Sequence, residues 1–326
     1  MAQDSALDGN ASPIMKRRGL SRMQHRTLSF YLFISPWILG FILLGVIPLV
    51  LGFLTSMTNY DGLNLENLKF TGFANYQRAW GDPEMWFSFK QTVIWLFVNL
   101  PAWLILSFLL AMILNQDVKG RGLFRTLYYL PSIVPGAAAI LAWKVILDQN
   151  NGLLNGLISI WRPGTAIGWL SSYAMTGMTS IAVWGGLGSG MVIFLAGLQG
   201  IPEEVKEAAR IDGANGIQTF FAVTLPLMTP VLFFQLILGL IGAFSQLNLP
   251  LLLTNVGLAG SGSVPSREIY LYMVHAYQQI FTNQRYGYGT ALLWLLCLVV
   301  ILLTAFVFWS KKFWVYDEEV KEGTNK

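Results

Sequence analysis

Glu203-Glu204-Val205-Lys206-Glu207-Ala208-Ala209-Arg210-Ile211-Asp212-Gly213-Ala214 is a polar stretch set between two long apolar runs, and Phe220-Phe221 and Thr224-Leu225-Pro226 follow it. The flanking runs suit lipid, whereas this segment suits a protein partner. Pro202 fits the first helical position, where a missing N–H costs nothing. Glu203 and Glu204 fall in the first turn, where the helix dipole favours negative charge. Glu207 lies one turn later, and Ala208 and Ala209 offer a smooth surface to a neighbour. Gly213 can take the left-handed conformation that ends a helix. Asn215 with Gln218 three residues on predicts the start of a second short helix. Phe220, Phe221, Val223 and Leu225 give that helix an apolar face, and Pro226 and Pro230 open the next span. The segment 200–226 is therefore expected to form helix, glycine turn, helix. The plainer alternative is an amphipathic loop lying on the membrane surface. The ordered set at fixed spacing favours a docking element.

Working outward, 54% of the 326 residues are hydrophobic and 12% charged, with a mean hydropathy of +0.54. Soluble domains carry roughly 25% charged residues, so the composition indicates an all-α integral membrane protein. Six stretches can cross about 30 Å of hydrocarbon at about 1.5 Å per residue. They are Phe30–Leu54, Thr92–Leu114, Thr126–Trp143, Met178–Leu198, Thr229–Leu249 and Tyr288–Trp309, and no Asp, Glu, Lys, Arg or His falls inside them. The run after residue 29 is too long for a signal-peptide core, so it reads as a retained first span. The expected organisation is a basic segment over 1–29, a six-helix domain over 30–314 and a tail over 315–326.

Lys16, Arg17, Arg18, Arg22, Arg26, Lys119, Arg121, Arg125, Lys206, Arg210, Lys311, Lys312, Lys321 and Lys326 fall on one side of this topology. The other side holds Lys69, Arg78, Lys90, Arg162, Arg267 and Arg285, with Lys144 at the end of the third span. The richer side is assigned to the cytoplasm, with both termini and the docking segment. Basic residues beside spans require no nucleic-acid partner. Pro131 and Pro135 are expected to kink the third span. Gly186 and Gly190 have the spacing that lets helices approach closely, which serves either plain packing or a sliding, path-lining helix. Tyr60, Phe70, Phe73, Tyr76, Trp80 and Trp86 lie in the outer segment, as interfacial anchors or as a surface for an external partner.

Enzymatic chemistry has little support. Cys297 is alone, His25 and His275 lack metal-ligand spacing, and Leu187 and Met191 break a nucleophile elbow around Ser189. No phosphate-binding Gly-x-x-x-x-Gly-Lys-Ser/Thr loop occurs, so if the chain takes part in active transport, the energy must come from a partner. Ion-coupled carriers usually keep an ionisable or carbonyl-lined site within the membrane. A self-sufficient secondary carrier or channel for a small polar solute stays as the alternative, but it leaves the segment around Glu207 unexplained.

The ordered set Glu-Ala-Ala, Asp-Gly-Ala, Phe-Phe, Leu-Pro resembles the EAA loop of ABC-importer permeases of the carbohydrate-uptake branch, the maltose and glycerol-phosphate type. Leu32-Phe33-Ile34-Ser35-Pro36, Phe70-Thr71-Gly72-Phe73-Ala74-Asn75-Tyr76, Tyr129-Leu130-Pro131, Asn151-Gly152-Leu153-Leu154-Asn155 and Tyr286-Gly287-Tyr288-Gly289-Thr290-Ala291-Leu292 extend the likeness from Phe30 to Trp314. The resemblance implies the type I ABC importer permease fold in a bacterial inner membrane. It implies a second homologous permease, two ATPase subunits that carry ATP and Mg, and an external solute-binding protein, with no cofactor or metal in this chain. It also implies that Glu207, Ala208, Ala209, Asp212 and Gly213 seat in an ATPase cleft. On the same grounds, Trp184, Gly186, Ser189, Gly242, Gln246 and Asn248 would border a mid-membrane path for a sugar or oligosaccharide. Interhelical hydrogen bonding is the plainer role for those polar groups.

Overall fold

The computed structural model describes residues 22–66, 68–117, 119–253 and 265–316. Among these residues the regular structure is helical, apart from one isolated bridge between Thr58 and Phe70. Lys16, Arg17, Arg18, Lys321 and Lys326, and most of the 315–326 tail, lie outside the described residues. The chain divides into two units, 1–52 and 53–326.

The first unit consists of α1 (Arg22–Phe41), a π-helical turn (Ile42–Val46) and most of α2 (Ile47–Ser56). This helix begins inside the stretch expected to be a polar segment. The second unit starts with α3 (Ala74–Trp80) and α4 (Pro83–Asn115). Asp82 caps α4 by accepting from the Glu84 N–H at 2.9 Å, with Pro83 in the first turn. The second span therefore starts about two and a half turns earlier than expected and carries Glu84 and Lys90 at its N-terminal end. Next come α5 (Arg121–Ile133), α6 (Gly136–Ile146), α7 (Leu153–Trp161) and α8 (Ala174–Gln199). Then α9 (Glu203–Ile211), α10 (Gly216–Thr219), α11 (Leu225–Phe244), α12 (Asn248–Leu253), α13 (Tyr272–Tyr277) and α14 (Tyr286–Trp314) complete the series. Among the described residues, five helical segments are long and apolar enough to cross a membrane, and α5 with α6, counted as one broken span, makes a sixth.

Prolines account for two departures from the expected spans. The third span does not merely kink: α5 and α6 meet at 97° across Val134 and Pro135. Pro135 disfavours helical geometry at Val134, whose backbone is extended, and Pro131 lies two residues before the end of α5. Pro226 and Pro230, by contrast, do not open the fifth span. They lie inside a 29-residue helical run from Gly216 to Phe244. A π-helical turn at Phe220–Thr224 joins α10 to α11. Pro230 cannot donate to the Pro226 carbonyl, and the Thr229 hydroxyl does so instead at 2.6 Å. The second short helix is thus the first part of a span and not a separate element.

Glycines of α8 hold the second unit together. A Cβ at Gly188 would collide with the Tyr128 carbonyl and come within 2.6 Å of the Tyr129 Cα, so α5 lies directly on this face. On the α4 side, a Cβ at Gly190 would come within 2.6 Å of Ser107 Oγ and one at Gly186 within 3.0 Å of Trp103 Nε1. The Gly186 and Gly190 spacing thus serves close packing against α4. Trp103 Nε1 donates to the Gly186 carbonyl at 2.8 Å across that contact. Gly185, in the same helix, has open space where a Cβ would stand.

At the N-terminal end of α4, charge is spent locally. Arg267 pairs with Glu84 through two bonds of 2.6 and 3.3 Å and lies 3.7 Å from the Phe87 ring centre. Both groups are about half exposed, so the pair contributes only ~0–1 kcal/mol. Asp82 accepts from Tyr288 Oη at 2.6 Å and stands 3.5 Å from His275 Nε2. His275 is buried, and its Nδ1 bonds Tyr270 Oη at 2.9 Å. The sequence reads this histidine only as lacking metal-ligand spacing. Burial pushes its imidazole below the usual range, although the neighbouring Asp82 charge pulls the other way.

A depressed folded-state histidine value means that the unfolded chain binds more protons below about pH 6.5, so stability is lost as pH falls through that range. The melting temperature of the detergent-solubilised protein is expected to drop between pH 7.5 and 5.5, and His275→Gln to flatten the drop. An unchanged slope in that variant contradicts the assignment. Gly188→Ala is expected to destabilise by about 1–3 kcal/mol through overpacking on α5, whereas Gly185→Ala leaves the melt unchanged. Equal melting temperatures for the two variants would show that α5 does not lie on Gly188.

Candidate functional site

Two places gather the residues singled out in the sequence. The first is a cavity of about 750 Å³ bordered by α4, the α5–α6 break, α8, α11 and α12. Trp184, Gly186, Ser189, Gly242, Gln246 and Asn248 all line it. Trp184 stands edge-to-face with Trp143, ring centres 5.4 Å apart. Ser189 Oγ donates to the Gly186 carbonyl at 2.9 Å, which leaves its oxygen lone pairs facing outward as acceptors. A Cβ at Gly242 would meet nothing within 4 Å, so the small residue widens the space.

Ser245, Gln246 and Asn248 are not late residues of an uninterrupted span. Helix α11 stops at Phe244 and α12 restarts at Asn248, so these polar groups sit at a helix break. Backbone irregularity inside a membrane is tolerated where protein or a polar cavity meets the freed groups. Such breaks mark binding sites in many transporters. Ser245 caps its own helix by donating to the Ile241 carbonyl at 2.9 Å.

Sequence reasoning missed the α4 contribution to this cavity. Trp95, Asn99 and Trp103 line it, as does Gln235 of α11. Gln235 is buried and donates to the Gly190 carbonyl at 3.4 Å. Amides inside an apolar span were the available signal.

The second place is α9. Its end is a Schellman turn: Ala214 N–H donates to the Ala209 carbonyl at 2.9 Å and Gly213 N–H to the Arg210 carbonyl at 3.1 Å. Gly213 has φ +81°, as the sequence requires. Asn215 and Gln218 then form a reciprocal capping box with bonds of 2.9 and 2.8 Å. Within α9, Glu203 accepts from Lys206 at 2.9 Å and stands 3.6 Å from Arg210. The Lys206 hydrogen bond and charge hold its carboxyl below the usual range. Glu207 is exposed and has no ion-pair partner among the described residues.

Ala208, Asp212 and Gly213 are exposed too, and Ala209 is half-buried. Ile211 and Ile217 are 86% and 72% exposed, a costly display for a segment with no further covering. These isoleucines were not singled out in the sequence, although their type amid polar neighbours was legible. Beneath α9, a polar pocket of about 480 Å³ is lined by Asn115, Gln116 and Asp117 together with Glu203, Lys206 and Arg210. The Tyr316 N–H donates to Thr229 Oγ1 at 2.8 Å, which brings the end of α14 to the early part of α11. No group of three or more potential metal ligands occurs among the described residues.

Comparison with known proteins adds the family. Residues 91–314 match the model of the binding-protein-dependent transport system inner membrane component. The probable ABC transporter permease protein YesP of Bacillus subtilis strain 168 is 35% identical over 97% of this chain and 100% of its own length. The trehalose/maltose transport system permease protein MalF of Thermococcus litoralis is 31% identical over 87% of this chain and 94% of its own. A crystal structure of a bacterial ABC transporter that imports the acidic polysaccharide alginate contains a chain of like fold, with TM-score 0.77, 19% identity and coverage of 89% of this chain and 97% of that one. The matched length, the broken helices around one cavity and the helical segment between two spans agree: the chain belongs to the binding-protein-dependent ABC transporter permeases, as a multi-pass inner membrane component.

Proposed function

We propose that this permease carries a sugar or oligosaccharide across the membrane by alternating access, and that separate ATPase subunits drive it through α9. The observation that carries the reading is the cavity: six residues of α8, α11, α12 and the break between the last two, expected to border a path, line one space with amides, a hydroxyl and an indole. Hydroxyl-rich solutes are held by such sparse polar groups with aromatic faces beside them. The names of relatives support the solute class, since trehalose/maltose, arabinooligosaccharide and lactose systems are among them.

In this reading Trp184, Gly186, Ser189, Gly242, Gln246 and Asn248 contact solute. Glu207, Ala208, Ala209, Asp212 and Gly213 seat in the ATPase cleft, with Ile211 and Ile217 as apolar anchors beside them. Glu203 occupies Lys206 and Arg210, so Glu207 keeps its charge for a basic group on the ATPase. A homologous permease supplies the other half of the path, and an external solute-binding protein delivers the solute. ATP and Mg belong to the ATPase subunits. The end that carries α9, Arg121, Lys311 and Lys312 faces the cytoplasm, with both termini, by its excess of Lys and Arg.

Glu207→Ala is expected to lower recovery of the ATPase with the tagged chain by about tenfold or more, equivalent to ~1.4 kcal/mol. Membrane insertion stays intact. Wild-type recovery together with wild-type uptake would remove Glu207 from coupling. Gln246→Leu is expected to weaken sugar-stimulated ATP hydrolysis in a complex that still assembles. Unchanged stimulation across a range of sugar concentrations excludes Gln246 from the path.

A further inference from the structure

The α4 wall of the cavity has a chemistry of its own. Trp95, Asn99 and Trp103 stand four residues apart and so share one helical face. All three line the cavity. Trp103 is fixed by its bond to the Gly186 carbonyl, which holds its ring as a rigid panel. Trp95 Nε1 and Asn99 Nδ2 are buried with no hydrogen-bond partner. Amides between membrane helices ordinarily pair with a neighbouring backbone or side chain, and Gln235 opposite does so. Asn99 does not, and its terminal torsion is soft enough to turn the amide toward the space.

We propose that Trp95, Asn99 and Trp103 form a subsite for an uncharged sugar ring on the wall of the path. The proposal rests on the carbohydrate reading above and adds a helix which that reading does not use. A sugar hydroxyl accepts from Asn99 Nδ2 or Trp95 Nε1, and the C–H face of the ring packs on an indole. The ring at this wall is uncharged because, among the described residues, no Asp, Glu, Lys, Arg or His lines the cavity. A carboxylate or phosphate there would lose its hydration with no opposing charge to replace it.

The test uses the complete transporter with Asn99→Cys in a Cys297→Ala background, labelled by a small neutral thiol reagent. Maltotriose, lactose and arabinotriose are the uncharged probes, and an alginate trisaccharide is the acidic one. Stimulation of ATP hydrolysis in the unsubstituted complex, with the binding protein present, identifies which probe is a substrate. The expected result is labelling at position 99 that a stimulating uncharged sugar abolishes. Phe97→Cys, on the opposite and 71% exposed face of α4, should label equally with and without sugar.

No labelling at position 99 in any nucleotide state overturns the subsite. So does labelling that a stimulating sugar leaves unchanged. Protection by the alginate fragment alone overturns the uncharged ring. If no sugar stimulates the unsubstituted complex, the carbohydrate reading fails first and the subsite falls with it. Should Asn99→Cys not assemble, Trp95→Phe keeps the ring and removes the N–H. Its half-maximal sugar concentration should then rise about tenfold, the worth of one hydrogen bond. An unaltered value counts against the subsite.

Discussion

The closeness of α8 to its neighbours is the constraint from which the rest of the second unit follows. Hydrocarbon gives helices no hydrophobic reason to associate, so contact must come from packing and from bonds across the interface. Gly188 accepts the α5 backbone on one side, and Gly186 and Gly190 accept Trp103 and Ser107 of α4 on the other. The Trp103 bond to the Gly186 carbonyl fixes the register of α4 against α8. With both neighbours drawn in, α5 turns sharply into α6, and the space left in front of Gly185 and Gly242 becomes the cavity.

The same economy governs the backbone. A membrane interior demands that each freed carbonyl find a donor or a polar space. Thr229 serves the carbonyl that Pro230 abandons. At the α11–α12 break the interruption opens on the cavity, where Gln246 and Asn248 lie. Polar residues therefore concentrate where the helices fail.

Much of this was legible in the residues. The segment from Glu203 to Gln218 reads directly because each device is local: Gly213 supplies a positive φ, and Asn215 with Gln218 supplies a cap within four residues. The grouping of Trp184, Ser189, Gly242 and Gln246 around one space followed from the resemblance and not from spacing. What escaped was non-local. Periodicity does not distinguish a kink from a 97° turn, because both need only Pro131 and Pro135. An apolar run hides its own interruption when the breaking residues, Ser245 to Leu247, include no proline or glycine. The burial of His275 was not legible because nothing adjacent in sequence reports that Asp82, Tyr270 and Tyr288 converge on its surroundings.

The π-helical join between α10 and α11 makes the capped end at Asn215 and the break at Phe244 the two tips of one rod. Its 29 residues, at about 1.5 Å each, span roughly 43 Å. A rod of that length has no slack linker in which to dissipate a push. A displacement of the capping box is therefore carried along the rod to Gly242 at the cavity wall.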